Sequence, residues 1–215
     1  MENNEKPKWP KSKDHLNKTF LEELGHKMWN TKGVRFGASQ KFLNKNSWSN
    51  LSLGFLSAYL IIYGLFSVYQ ISGSIILDER IIAFSSTTIS ILLLVFTQYE
   101  SAQDYKIRAL EFHKCSLEIS ELHDEIRLFK TIGQKTDEEK AKFCESLNKR
   151  YQKVLHSYSN HEEIDYQIFT AKNSKYYDLS RFQVAYIYIK YYVKTLFLYH
   201  LLIAAPIIFF VLLFF

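Results

Sequence analysis

His113, Cys115 and His123 are the side chains here whose types could hold a metal ion at short spacing. If one helix carries them, the ten-residue step from His113 to His123 turns the two about 80° out of line, with Cys115 on a third bearing. A shared metal is disfavoured. Glu111, Glu118 and Glu125 recur every seventh residue, which reads most simply as one solvated helix face. There is no glycine-rich phosphate loop, nucleophile elbow, HExxH or paired CxxC. The residues therefore predict no catalytic group, no cofactor, no metal and no enzyme. Cys115 and Cys144, the two cysteines, are expected as reduced thiols.

What remains is hydroxyl chemistry inside apolar sequence. Residues 81–99 (IIAFSSTTISILLLVFTQY) carry Ser85, Ser86, Thr87, Thr88, Ser90, Thr97 and Gln98. Residues 51–71 (LSLGFLSAYLIIYGLFSVYQI) carry Ser52, Gly54, Ser57, Gly64 and Ser67. On a helix, Ser86, Ser90 and Thr97 lie near one stripe, with Leu93 between them. Small and hydroxyl residues let membrane helices approach closely and hydrogen-bond. In an assembly of several copies the same stripe, with Ser57 and Gly64, lines a water-filled path. Both readings stand at this point. A path lined by hydroxyls and Leu93, without a ring of charge, is weakly ion-selective.

These residues need elements to position them, and the charge pattern supplies them. No charged side chain lies between Lys45 and Asp78 or between Arg80 and Glu100. A helix of about 20 residues rises roughly 30 Å, the thickness of a bilayer's hydrocarbon core. A helix of a soluble bundle would show charges on its outer face every three or four residues. A third apolar block, 195–215, carries no charge except a possible one on His200 and is kinked by Pro206. It either crosses the bilayer or lies partly in its interface. The fold class predicted is an all-α membrane protein: a transmembrane helical hairpin, a long cytosolic helical extension and a C-terminal hydrophobic helix.

Lys and Arg number 27 against 22 Asp and Glu, a formal net charge of +5. The basic residues flank the hairpin (Lys32, Arg35, Lys41, Lys45 before it; Lys106, Arg108, Lys114 after it), while the connection offers Arg80 alone. This places both polar parts, and the N-terminus, in the cytoplasm. The cations are scattered among acids, so anionic lipid is a better partner for them than nucleic acid, and no direct nucleic-acid binding is expected.

Along the chain, 1–14 reads as a disordered basic lead-in and 15–46 as amphipathic juxtamembrane helices, with breaks or bends predicted at Gly33 and Gly37. Residues 47–99 form the hairpin, 100–194 a cytosolic helical domain and 195–215 the last hydrophobic helix. Heptads place Tyr105, Phe112, Ile119 and Ile126 at one seam position and Arg108, Cys115, Leu122 and Phe129 at the other. That seam, continuing directly from the second membrane helix, packs either within the chain or against a partner bearing Lys or Arg. A break is predicted at Gly133, a capping box at Thr136 and Glu139, and a further helix start at Asn160 with Glu163. Phe143, Leu147, Tyr151, Val154 and Tyr158 mark one apolar face, and the tyrosine-rich stretch before residue 195 suits a membrane interface.

The segments KGVRFGASQKFLNKNSWSN and QYESAQDYKIRALEFHKCSLEISEL, on either side of the hairpin, resemble the flanking motifs of the SLATT family of bacterial conflict-system effectors. The stretch YSNHEEIDYQIF and the apolar tail resemble the branch encoded beside reverse transcriptases. The resemblance implies a membrane effector of an antiphage, abortive-infection system in the bacterial inner membrane. Such an effector is silent until a partner sensor is activated, then forms or opens an oligomeric pore. It also implies a homo-oligomer coupled functionally to a reverse transcriptase or a nucleotide-second-messenger synthase. The alternative is a membrane-anchored adaptor that recruits a soluble partner enzyme through its cytosolic helices.

Overall fold

The computed structural model describes residues 19–69, 79–133 and 135–214. The basic lead-in with Leu16, the end of the first predicted span with its turn (70–78), Gln134 and Phe215 lie outside the described residues. Among the described residues seven helices follow one another: α1 (Phe20–Tyr69), α2 (Glu79–Ser101), α3 (Tyr105–Thr131), α4 (Asp137–Ser157), α5 (Glu163–Lys172), α6 (Arg181–Thr195) and α7 (Phe197–Phe214). No strand occurs among the described residues. The helices form two units, one from the chain up to Phe42 with Ile107–Tyr191, the other from Leu43–Lys106 with the chain from Tyr192 on.

In the first unit, a helical bundle, the seam predicted on α3 becomes core. Cys115 and Ile119 are fully buried, and Leu122 and Ile126 nearly so, against Leu24 and Met28 of α1 and Leu147 and Tyr151 of α4. Phe143, Val154 and Tyr158 complete the α4 face. Burying a side chain of the Leu, Ile or Met kind contributes about 1.5–3 kcal/mol, so this cluster is the unit's main source of stability. Phe112 stacks on Phe42 at 5.7 Å, and Phe129 on Phe143 at 4.0 Å. The acids beside the seam find partners in the same chain: Glu125 pairs with Arg150, and Glu118 accepts from the Tyr158 hydroxyl at 2.5 Å.

α1 is unbroken through Gly33 and Gly37, contrary to the expectation that glycine would end or bend it there. At Gly33 the reason lies 136 residues away: a Cβ would meet Cε2 of Phe169 at 2.2 Å. The glycine admits the α5 ring against the backbone of α1 and does not interrupt the helix. Two other expectations concern helix ends. Thr136 and Glu139 form the predicted capping box, and α3 stops just before Gly133, whose φ of 61° is left-handed. The next start, however, is at Glu162 rather than Asn160, with Asp165 accepting the Glu162 backbone N–H at 3.0 Å. Asp165 is fixed there by Lys41 of α1, whose Nζ lies 2.9 Å from Oδ1 and 3.0 Å from Oδ2.

α2 does not continue into α3. It ends at Ser101, and Asp104 takes φ 49° before α3 opens at Tyr105. Aspartate tolerates that left-handed conformation better than most residues. The long uninterrupted helix is α1, at 50 residues.

Candidate functional site in the apolar unit

The second unit is built from the uncharged sequence, and its polar groups hold it together. Tyr59 and Tyr63 stand one turn apart on α1 and so share a face. The Tyr63 hydroxyl lies 2.7 Å from Ser85 Oγ on α2. The Tyr59 hydroxyl donates to the carbonyl of Ile203 on α7 at 2.9 Å, in the turn before Pro206. One face of α1 therefore ties down both other apolar helices.

A second set of polar contacts sits where the charges resume. Glu100, buried at the end of α2, accepts from the Tyr199 hydroxyl of α7 at 2.9 Å, and Tyr199 lies 3.1 Å from the Tyr105 hydroxyl. Lys45 Nζ stands over the Tyr105 ring at 5.3 Å. Nearby in sequence, His200 meets the edge of Trp48 at 4.1 Å and its Nδ1 is 2.8 Å from the Tyr192 hydroxyl. A buried carboxylate is costly unless it is hydrogen-bonded, and tyrosine supplies the donor here. The Glu100–Tyr199–Tyr105 cluster escaped sequence reasoning, which read Tyr105 as a seam position of α3. The signal was present in Glu100 as the first acid after an uncharged run, followed by tyrosines at 105 and 199.

Ser85, Thr87, Thr88, Ser90 and Thr97 of α2 bond back to their own helix. Ser90 donates to Ser86 O at 2.8 Å, Thr97 to Leu93 O at 2.7 Å, Thr87 to Ala83 O and Thr88 to Phe84 O at 2.9 Å. Ser57 does the same with Leu53 O at 2.9 Å. Backbone back-bonding of this kind removes the need for water or a partner helix. Ser86, Ser90 and Leu93 lie on a half-buried side of α2, while Thr97 and Ser57 are exposed. Gly64 is half-buried, with nothing within 4 Å of a Cβ placed on it.

Of the six residues read for helix pairing, Tyr105 is buried in the apolar unit. Phe112, Ile119, Leu122 and Ile126 are buried in the bundle, and Phe129 is half-buried there. The metal-ligand types go to separate partners: His113 to the edge of Phe36 at 5.6 Å, Cys115 to the guanidinium of Arg35, and His123 to Lys32 Nζ at 3.3 Å. Burial raises the Cys115 thiol pKa, and Arg35 pulls part of it back. Burial, then Lys32, lowers that of His123; burial, then Arg35, lowers that of His161.

The outer surface of this unit is apolar. Phe84, Ile91, Leu92, Leu94 and Val95 of α2 are each more than half exposed, as are Ile61 and Leu65 of α1. Among the described residues, two helices are long and apolar enough to cross a membrane, and a third span is present if α6 and α7, bent by 68°, count as one. In the second of the two, none of the most apolar stretch is buried, the reverse of a soluble core helix. Fold and surface together define an all-α, membrane-type protein with one apolar unit and one helical bundle. The chain belongs to the SMODS and SLOG-associating 2TM effector domain family 5, whose model matches residues 17–212. No curated protein and no solved structure matches it.

Proposed function

We propose that this effector resides in a bacterial inner membrane with its N-terminus and helical bundle in the cytoplasm. On activation of a partner sensor it assembles or opens as an oligomeric pore in an antiphage response. The observation that carries the reading is the apolar, outward-facing surface of α2, whose Ser90 and Thr97 hydroxyls are already bonded within the helix. Such a helix is stable in lipid and also presents small polar groups to other copies at little cost. One hairpin cannot enclose a channel; several copies can. α1, unbroken from Phe20 to Tyr69, is the element able to carry a rearrangement of the bundle toward the membrane. A reverse transcriptase or nucleotide-second-messenger synthase is the proposed sensor class.

Induced expression in cells loaded with a potential-sensitive dye tests this. The proposal predicts depolarisation that depends on the sensor, and an unchanged potential would reject it. The adaptor reading is favoured by Ile107, Leu110, Leu117 and Leu128, exposed on α3 and facing away from the bundle core. It predicts an intact potential and co-purification of a soluble enzyme, abolished by Leu110→Glu with Leu117→Glu.

A further inference from the structure

α6 carries an apolar row that the chain leaves uncovered. Phe182, Tyr186, Ile189 and Val193 are 89, 66, 63 and 56% exposed. Their spacing of four, three and four residues keeps them within an arc of about 60° at 100° per residue. Val184, Ile187 and Tyr191, half-buried, and Thr195, buried, mark the opposite side, which packs on the protein. Phe182 is the most exposed large apolar side chain among those described.

The charges of α6 are all of one sign. Arg181, Lys190 and Lys194 are its only ionisable groups besides tyrosines, and no acid lies between 181 and 195. On the helical wheel Lys190 and Lys194 fall to one side of the row, and Arg181 with Tyr188 and Tyr192 to the other. This is the pattern of a helix lying in a membrane interface, where apolar groups enter the acyl boundary and flanking Lys and Arg reach anionic headgroups. The geometry at its end agrees. The chain bends by 68° at Leu196 into the apolar helix α7, and the Tyr192 hydroxyl clasps the bend by meeting His200 Nδ1 at 2.8 Å. If α7 crosses the bilayer along its normal, a helix at 68° to it lies nearer the bilayer plane.

We infer that α6 is an interfacial helix, its Phe182, Tyr186, Ile189 and Val193 row seated in an anionic lipid surface. This rests on residence of the apolar unit in the membrane and not on pore formation. A second copy of the chain on the same row is the competing occupant. It is less suited, because two copies would bring their Lys190 ammonium groups together.

The test uses the full chain with Cys115→Ala and Cys144→Ala, its helical content verified, in bilayer discs of phosphatidylcholine with phosphatidylglycerol. Spin labels are placed singly at Tyr186→Cys or Ile189→Cys, at Leu94→Cys in α2 and at Glu145→Cys on the exposed face of α4. Collision with oxygen, which partitions into lipid, is compared with collision with a water-soluble nickel chelate. The expected result is an oxygen-to-nickel ratio several-fold higher at 186 and 189 than at 145, decreasing in phosphatidylcholine alone. Nickel access at 186 and 189 equal to that at 145 overturns the inference, and so does shielding from both reagents, which would mean a protein surface covers the row. Leu94 separates the two layers of the argument. Oxygen-rich at 94 with nickel-rich at 189 rejects the interfacial helix alone, and nickel-rich at both positions rejects the membrane reading.

Discussion

Lys41 and Asp165 offer the sharpest energetic test of the bundle. Both are buried, with side chains 2 and 1% exposed, and their charged atoms are 2.9 and 3.0 Å apart. Glu162, 42% exposed, adds a second carboxylate 3.2 Å from Lys41 Nζ. Removing one member of such a pair leaves the other charge in a poorly solvating interior, which costs about 3–5 kcal/mol. Asp165→Ala also deletes the acceptor for the Glu162 N–H at the start of α5, worth about 1 kcal/mol more. Glu162 offsets part of this by staying near the orphaned ammonium, so a net loss of about 4 kcal/mol is expected. For a chain of this size that corresponds to a drop in Tm of roughly 10 °C. Lys41→Met should lose a similar amount. The double variant Lys41→Met/Asp165→Leu removes both charges and restores packing, so it should cost far less than the sum, with a coupling energy of about 2–3 kcal/mol. Thermal unfolding of the detergent-solubilised protein, followed by circular dichroism, gives all four corners of the cycle. Additive losses, with no coupling, would refute the reasoning.

Three further outcomes are expected. Gly33→Ala should destabilise the bundle by about 1–3 kcal/mol through overpacking against Phe169, and Phe169→Leu should recover part of the loss in the same melts. Stability should be level above about pH 6.5 and fall as pH drops below it, because His123 and His161 have pKa values lowered from 6.5 in the folded chain and the unfolded chain binds protons first; His123→Gln with His161→Gln should flatten the profile between pH 5 and 6.5. Tyr63→Phe should weaken the α1–α2 contact by about 0.6 kcal/mol, the usual worth of such a bond in a membrane, measured by unfolding in mixed micelles. The loss is small because Ser85 still donates to Ile81 O and Ile82 O.

What the sequence reveals depends on whether a feature is local. The uncharged runs mark the apolar helices because charge exclusion acts residue by residue, and the heptads of α3 mark the core because periodicity follows helix geometry alone. Thr136 with Glu139 is likewise a short-range signal. Gly33 misleads: helix propensity makes glycine a breaker, yet the decisive contact is with Phe169 on another helix. The start of α5 shifts from Asn160 to Glu162 because Asp165 answers to Lys41, 124 residues earlier. The break at Ala102–Asp104 has neither glycine nor proline to announce it. Arg35 and Lys41 look like members of a basic flank facing lipid headgroups, but both are buried in the bundle. Tyr59 and Tyr63 stand inside the first apolar run and Tyr199 inside the third, with no local pattern to mark them, and only the packing of α1, α2 and α7 shows them tying helices together.

The hairpin's passage through the bilayer underlies the rest of the account, and it is tested most directly by thiol labelling in intact cells. A cysteine introduced at Ser74, between the two apolar helices, should react with a membrane-impermeant maleimide added outside once the outer membrane is opened. Cys144 should react only after the inner membrane is permeabilised. If Ser74→Cys is labelled only after that permeabilisation, or if the chain fractionates with soluble protein, the hairpin does not cross and the effector mechanism built on it is wrong.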